Sequence, residues 1–240
     1  MRFFLLPFSL VYGAVIFLRN LLFNLGLIHS KKISYSIGIG NLSMGGTGKS
    51  PLAIYLADFI LNLGGEPALL SRGYGRETKG FLEVETTSSS SCVGDEPLMF
   101  KQRFGAKAHV FVCENRTVGS DKIRKQKPNC TLLYDDILQH RKIKSEFCIL
   151  TTPYNAPFHK DYLLPIGRLR EPRSNAKRAD CILITKCPNR MSLAETSAFK
   201  QALSIHEKPV FFSTIEYRKM HPLGKAIGEI KNILLVTGIA

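Results

Sequence analysis

Residues 43–50 read SMGGTGKS, a glycine-rich loop that ends in a lysine and a hydroxyl residue. Glycines in such a loop let backbone N–H groups turn toward phosphate oxygens at a helix N-terminus. Lys49 can offer a cation to the β- and γ-phosphates of a nucleotide, and the Ser50 hydroxyl can bind Mg²⁺. Ser43 stands where the strict pattern has its first glycine. The predicted nucleotide-binding residues are Gly45, Gly46, Thr47, Gly48, Lys49 and Ser50.

The segments on either side of this loop fit a P-loop. Residues 34–40 are typical of a short strand, and residues 51–60 have helical spacing with Pro51 near the first turn, where a missing N–H costs little. A strand, a glycine-rich loop, GKS and a helix form the context that this motif requires.

A nucleotide site of this kind also needs a carboxylate for its metal. Asp135 and Asp136 end the apolar run 130–134, as expected at the end of a buried strand. Side chains alternate along a strand, so we expect one acid to address Mg²⁺ and the other to fix the loop. The alternative is a solvated turn that begins with the two acids. His140 and Arg141 follow within one turn's reach, and we expect both near the phosphates.

Three further segments combine a strand or a helix start with glycine and charge. Residues 67–76 end in SRGYGR, residues 92–99 place two acids in the first turn of a helix, and residues 163–173 are rich in arginine and proline. Loops at the carboxyl ends of strands gather around the ligand in α/β sheets. Asp95 could be a catalytic base or a helix-capping carboxylate, and its residue type does not separate the two roles.

The basic surplus and the apolar N-terminus suggest a membrane surface. The chain has 33 Lys and Arg against 19 Asp and Glu, which gives a net charge of +14 and favours anionic partners. The first apolar run, residues 3–18, is shorter than the roughly 20 residues that span a bilayer. An interfacial helix fits best, while a core helix and a single membrane span are the alternatives. No aromatic nucleic-acid platform is visible, so we expect no nucleic-acid partner.

Together these segments resemble one family, the tetraacyldisaccharide 4'-kinases of lipid A biosynthesis. The matching segments, in chain order, are the apolar N-terminus, GNLSMGGTGKSP (40–51), SRGYGR (71–76), VGDEP (93–97), ENR (114–116), DDILQHR (135–141), LLPIGRLREP (163–172) and VTGIA (236–240).

The resemblance implies a kinase that moves the γ-phosphate of ATP onto the 4'-hydroxyl of an acylated glucosamine disaccharide 1-phosphate. It implies ATP and Mg²⁺ as cofactors and action at the cytoplasmic face of the bacterial inner membrane. It also assigns the site residues. The catalytic set is Asp95 as base with Lys49, Arg170 and His140; the metal set is Ser50, Asp135 and Asp136; the substrate-binding set is Arg72, Tyr74, Arg116 and Glu171.

The chain departs from the family pattern at three places. Ile137 and Leu138 stand where the family has a glycine and an aromatic residue, so the turn after Asp136 is expected to differ. Arg168 replaces a common proline. The chain stops at Ala240, where the family continues into a second domain with a histidine that pairs with the base, so most of that domain is expected to be missing.

We therefore predict an α/β fold of the P-loop NTPase type, with a mostly parallel sheet and helices on both faces. The candidate strands are residues 34–40, 66–71, 109–113, 130–135, 146–151, 180–185 and 209–214, and residues 232–238 are expected to be the first strand of a second domain. Residues 1–32 are expected to form the membrane-facing helical segment, residues 33–205 the kinase domain, and residues 206–240 a linker strand and the start of a second domain. Two rival functions stay open: a membrane ATPase or GTPase without a lipid acceptor, and an inactive fragment. The six cysteines form no C-x-x-C pair and are expected to be reduced core thiols.

Overall fold

An eight-stranded sheet organises the protein in the computed structural model, which describes residues 2–204 and 207–216, with side chains from Phe4 onward. The strand order is β3-β4-β2-β5-β1-β6-β7-β8. Every pairing is parallel except that of β3 with β4. The strands are Lys31–Gly40 (β1), Pro67–Ser71 (β2), Leu82–Glu83 (β3), His109–Val112 (β4), Thr131–Tyr134 (β5), Ile143–Pro153 (β6), Cys181–Cys187 (β7) and Val210–Thr214 (β8).

Six α-helices accompany the sheet in the described residues. They are Leu6–Asn24 (α1), Lys49–Asn62 (α2), Ser90–Val93 (α3), Asp95–Phe104 (α4), Arg116–Gln126 (α5) and Leu193–Leu203 (α6). Short 3₁₀ turns lie at Arg2–Leu5, Gly105–Lys107, Phe158–Lys160 and Arg173–Arg178. The predicted mostly parallel α/β sheet is confirmed.

Apolar residues form two core clusters. One contains Ile39, Ala53 and Phe100 and involves α2 and α4; the other contains Leu132, Leu150 and Ile184. Strand β5 is only four residues long and contributes to both clusters, because its side chains alternate between the two faces. The predicted strand at 130–135 therefore lies near the middle of the sheet.

The turn after Asp136 shows how the chain accommodates its departure from the family pattern. Asp136 has φ 51°, and the chain then turns back so that Ile137 and Leu138 are buried against β1. A Cβ at Gly38 would lie 2.6 Å from Ile137 Cγ2, and one at Gly40 would lie 2.6 Å from Leu138 Cβ. The two glycines of β1 thus make room for the two larger side chains.

The predicted linker strand near residue 211 is observed as a strand of the sheet. Val210–Thr214 pairs in parallel with β7 as the last strand of the sheet. The predicted strand at 232–238 lies outside the described residues. The proposed division into three segments stays a prediction.

All six cysteines are free thiols, and five of them are buried; Cys92 is the exposed one. The five buried thiols lie in the core as expected, whereas Cys92 departs from that expectation. Burial raises the pKa of the Cys148 thiol to about 12, which keeps it protonated and unreactive.

Candidate active site

The glycine-rich loop connects the carboxyl end of β1 with the N-terminus of α2. Gly45 has φ 102° and Gly48 has φ 80°, backbone conformations that L side chains rarely adopt. A Cβ at Gly48 would also lie 3.2 Å from the Thr185 side chain. Lys49 is the first residue of α2, so the loop delivers its N–H groups and the lysine to the same helix end.

Hydroxyl and amide side chains hold this loop against the sheet. Thr47 Oγ1 lies 2.9 Å from Thr151 Oγ1 and accepts a 3.0 Å hydrogen bond from Asn41 Nδ2. The Thr185 hydroxyl donates to the Thr47 carbonyl at 2.9 Å. Thr47 is therefore buried and binds the protein itself, which assigns it to shaping the loop.

Asp136 joins the lysine of the loop to a distant arginine. Its Oδ1 lies 3.6 Å from Lys49 Nζ, and its two oxygens accept hydrogen bonds from Arg170 at 2.8 and 2.9 Å. Burial acts to raise the pKa of Asp136, but the hydrogen bonds from Arg170 and the charge of Lys49 outweigh it, and the pKa lies below its ordinary value. Asp136 is thus a carboxylate that orients two cations toward the loop.

Asp135 has a different neighbour, Glu96, which also contacts Ser50. The Ser50 hydroxyl donates to the Glu96 carboxylate. Burial, followed by the charge of Glu96 and a hydrogen bond to it, raises the pKa of Asp135 well above its usual range. Asp135 Oδ1 is also buried without a hydrogen-bond partner. The two neighbouring acids therefore have different partners, and the metal role stays a prediction.

The group formed by Ser50, Glu96 and Asp135 has the chemistry of a magnesium site. Two carboxylates that approach each other without a cation repel, and a divalent ion removes that repulsion. No cluster of three or more His, Cys, Asp or Glu residues that could hold a metal occurs in the described ranges. Mg²⁺ bound to a nucleotide needs only one or two carboxylates, since phosphates and waters complete its shell. The residues present fit Mg²⁺.

Glu96 is a further residue of the site, and the sequence did not predict it. It follows Asp95 in the first turn of α4, so adjacent carboxylates leave the helix in different directions. Asp95 is exposed, whereas Glu96 is half-buried beside Ser50. The GDEP segment contained the signal, but only the fold shows which of its acids turns toward the loop.

Arg116 and His140 line one cavity of 550 Å³ beside the C-terminal half of α1. Arg116 is buried and donates to the carbonyls of Cys113 and Asp135 at 2.7 and 3.3 Å, and burial lowers its pKa to about 10. Burial, with the charges of Arg116 and Arg72, lowers the pKa of His140 to about 4. His140 is therefore a neutral imidazole at neutral pH, able to donate and accept hydrogen bonds but not to supply a cation.

The SRGYGR loop lines a separate cavity of 510 Å³. Arg72 and Tyr74 are exposed, and Tyr74 has 92% of its surface open to solvent. Arg76 instead forms an ion pair with Glu114 and also donates to the Gly80 carbonyl at 2.6 Å. The loop is therefore anchored at Arg76 and presents Arg72 and Tyr74 outward.

Glu171 occupies a position unlike the one expected for substrate contact. Its side chain has no exposed surface; it forms an ion pair with Arg178 and accepts a 2.7 Å hydrogen bond from Asn175. This arrangement fits a residue that holds the segment after Arg170 in place. The neighbouring Arg168 is exposed and lies 3.4 Å from Asp161.

Helix α1 carries its polar side chains on the face that contacts the protein. Ser9 donates to the Leu163 carbonyl at 3.1 Å, Tyr12 to the Arg170 carbonyl at 2.8 Å, and Arg19 to the Gln139 carbonyl. The outward face is apolar and exposes Phe8, Leu10, Val11, Val15, Phe17 and Leu18.

The same helix is longer than the apolar run suggested, because it continues through Arg19 and Asn20 to Asn24. It is the one helix in the described residues that is long and apolar enough to cross a membrane, with a mean hydropathy of 1.7 and 11% of its apolar stretch buried. Length and composition alone do not distinguish crossing from lying on a surface.

Known proteins resemble the chain along nearly its whole length. The sequence profile of the family described as "Tetraacyldisaccharide-1-P 4'-kinase" matches residues 1–240. A tetraacyldisaccharide 4'-kinase of Flavobacterium psychrophilum is 41% identical over 98% of this chain and 71% of its own length. Another from Flavobacterium johnsoniae is 39% identical over 100% of this chain and 72% of its own length.

A solved structure agrees with these relatives. The crystal structure of LpxK from Aquifex aeolicus in complex with ATP is 28% identical and superimposes with a TM-score of 0.68. The match covers 89% of this chain and 81% of that chain. With the P-loop, the paired aspartates and the matching profile in agreement, the chain belongs to the tetraacyldisaccharide-1-phosphate 4'-kinase family.

Proposed function

We propose that the protein is a lipid kinase that transfers the γ-phosphate of ATP to the 4'-hydroxyl of an acylated glucosamine disaccharide 1-phosphate in lipid A biosynthesis. One observation carries the proposal: the membrane-type helix α1 hydrogen-bonds, through Tyr12, to the same Arg170 that pairs with Asp136 at the P-loop. A nucleotide site and an apolar surface are thus joined within one hydrogen-bonded unit.

The phosphates of ATP would lie along the glycine-rich loop, where Lys49 and Arg170 supply positive charge. Both cations contact Asp136, which fixes their positions before the substrate arrives. Preorganised charge stabilises the transferring phosphoryl group more than mobile charge does, because nothing reorganises during the reaction. Mg²⁺, held by Ser50, Glu96 and Asp135, would neutralise charge on the phosphates.

The acceptor hydroxyl needs a base, and Asp95 is the carboxylate that we assign to this role. It lies in the first turn of α4, next to Glu96, and its side chain is open to solvent. A sugar hydroxyl is a poor nucleophile, so a carboxylate within hydrogen-bond reach assists its deprotonation. The exposure of Asp95 supports contact with an incoming substrate rather than with the protein.

The disaccharide headgroup would occupy the cavity beside α1. Its lining includes Arg19, Arg116, Gln139 and His140, which combine positive charge with hydrogen-bonding groups suited to phosphate and sugar hydroxyls. Arg72 and Tyr74 of the neighbouring loop are exposed and available to the same ligand. The acyl chains would extend along the apolar outward face of α1.

The orientation of α1 supports a helix that rests on the lipid surface. Contacts from Ser9 to Asn20 attach the helix to the protein along about 16 Å, as the rise per residue gives. A helix held along this length presents its apolar face sideways to lipid, as an interfacial helix does. Since ATP and reduced thiols belong to the cytosol, the membrane surface would be the cytoplasmic face of the inner membrane.

An acceptor comparison tests the proposal. The protein would be incubated with γ-³²P-labelled ATP and either the acylated disaccharide 1-phosphate or its 4'-deoxy analogue. We expect label in the lipid fraction only with the 4'-hydroxyl present. Equal labelling of both lipids, or release of labelled phosphate at the same rate without lipid, would contradict it.

A further inference from the structure

A second cavity, of 440 Å³, adjoins the segment that connects β5 with β6. Arg141 and Ile143 line this cavity and the one beside His140, so the connecting segment separates the two. The second cavity contains no residue of the P-loop or of the magnesium site. We call it the basic cavity.

Positive charge dominates the lining of the basic cavity. It contains Arg141, Lys144, Lys177, Arg178 and Lys208, with Asp180 as its one lining carboxylate. Asp180 already accepts a 2.8 Å hydrogen bond from the Cys148 N–H, and Arg178 is paired with the buried Glu171. Counting Asp180 and Glu171 against five cations leaves a surplus of three positive charges.

Most of these cations have no carboxylate of their own. In the part of the chain that the structure describes, no carboxylate lies within 4.0 Å of Arg141, Lys144, Lys177 or Lys208. Arg141 bonds only to neutral oxygens of α1, with the Asn20 carbonyl and Asn24 Oδ1 both at 2.8 Å. Burial and then the charge of Arg178 lower the pKa of Arg141, so the arginines repel each other.

We propose that the basic cavity binds a phosphate group, as a phosphomonoester or phosphodiester, at a site separate from the nucleotide and acceptor sites. Clustered arginine and lysine side chains without carboxylate partners are suited to phosphate oxygens. The phosphate has two possible sources, an anionic phospholipid headgroup or a small soluble phosphate. Arg141 links the cavity to the C-terminal end of α1, which brings it near any lipid surface on which α1 rests.

The inference goes beyond the proposed function, because Lys144, Lys177 and Lys208 line the basic cavity alone and are absent from the lining of the cavity assigned to the disaccharide. Only the binding of a phospholipid headgroup, and not that of a soluble phosphate, requires α1 to contact a membrane. The side chains of Lys144 and Lys177 are exposed and make no hydrogen bond with the described residues, so replacing them with alanine leaves the packing intact. Lys107 and Lys200 are exposed lysines elsewhere on the surface and provide a control of equal charge.

Lysine footprinting tests the proposal on the wild-type protein. Acetylation of Lys144 and Lys177 would be followed by mass spectrometry in three arms: glycerol 3-phosphate, phosphatidylglycerol vesicles and phosphatidylcholine vesicles. Protection by glycerol 3-phosphate indicates a soluble phosphate site. Protection by phosphatidylglycerol vesicles alone indicates a headgroup site. If Lys144 and Lys177 are protected from acetylation no more than Lys107 and Lys200 in every arm, the proposal is overturned.

A pair of double variants provides the second measurement. We expect the Lys144→Ala/Lys177→Ala variant to bind the protecting ligand about tenfold or more weakly than the wild type. The Lys107→Ala/Lys200→Ala variant is expected to change this affinity less than threefold. Equal losses in the two variants would show a general charge effect and overturn the site. Phosphate transfer in detergent, measured on the same variants, is expected to stay unchanged, which separates this proposal from the proposed function.

Discussion

The hydroxyl of Tyr12 donates a 2.8 Å hydrogen bond to the carbonyl of Arg170, whose guanidinium binds both oxygens of Asp136. Asp136 in turn lies 3.6 Å from Lys49. A residue of the apolar helix is therefore three contacts from the lysine of the P-loop. The helix that we propose to rest on lipid also holds the segment that completes the nucleotide site.

Tyr12→Phe removes this hydrogen bond and keeps the ring. A neutral hydrogen bond contributes about 0.5–1.5 kcal/mol, so we expect kcat to fall about two- to twelvefold with an unchanged KM for ATP. Steady-state kinetics with both substrates measures kcat and the KM for ATP separately. Tyr35→Phe is the control, because Tyr35 is 74% exposed and its hydroxyl has no described partner. Equal effects in both variants would argue against positioning by α1.

Arg170→Lys replaces the two-pronged contact with Asp136 by a single ammonium group. Lysine cannot reproduce the paired geometry of a guanidinium, so we expect kcat to fall about 10- to 100-fold. Arg168→Lys is the matched control, because Arg168 is exposed and makes one 3.4 Å ion pair. Phosphate transfer under saturating ATP is the measurement. Full activity of Arg170→Lys would show that catalysis does not need the paired contact between Arg170 and Asp136.

Substitutions of the two adjacent acids of α4, Asp95 and Glu96, are expected to change different kinetic quantities. Glu96→Gln weakens the magnesium site, so the Mg²⁺ concentration for half-maximal activity should rise about tenfold or more. Asp95→Asn should leave that concentration unchanged and slow turnover about 10²- to 10⁴-fold, as expected for loss of a general base. Magnesium titrations of both variants separate the roles. The reverse pattern would exchange the two assignments.

The raised pKa of Asp135 predicts how stability depends on pH without metal. The folded protein keeps a proton here at pH values where the unfolded chain has lost it. The free energy of unfolding of the metal-free protein therefore falls as the pH rises above the ordinary value of 3.8 toward the raised pKa.

Thermal unfolding in EDTA across this pH range measures the effect. Asp135→Asn should flatten the dependence, because the amide does not titrate. Asp58→Asn, which changes a half-exposed acid paired with Arg103, serves as the control. A pH dependence unchanged by Asp135→Asn would mean that the carboxylate is not held protonated.

The sequence predicted the parts of the site that local spacing determines. The P-loop, the strands beside it and Asp136 near Lys49 lie as expected, since a strand–loop–helix motif fixes its own geometry. The two-residue strand β3 was missed, because two residues carry too little periodicity to detect. The predicted strand at 146–151 is extended in the structure to Ile143–Pro153.

Side-chain direction was harder to predict than element type. Glu96 was missed because helix periodicity does not say which of two adjacent acids turns toward Ser50. The inward polar face of α1 depends on the partners Leu163, Arg170 and Gln139, which lie more than 100 residues away in the chain. The burial of Glu171 likewise depends on a partner, Arg178, whose position only the folded loop defines.

Stoichiometry tests the central claim most directly. The protein would be supplied with ATP, Mg²⁺ and the acylated disaccharide 1-phosphate, and ADP and lipid-bound phosphate would be measured in the same sample. We predict equal amounts of both products, with neither formed by Lys49→Ala. ADP formed without matching phosphate in the lipid would contradict the kinase assignment and favour an ATPase.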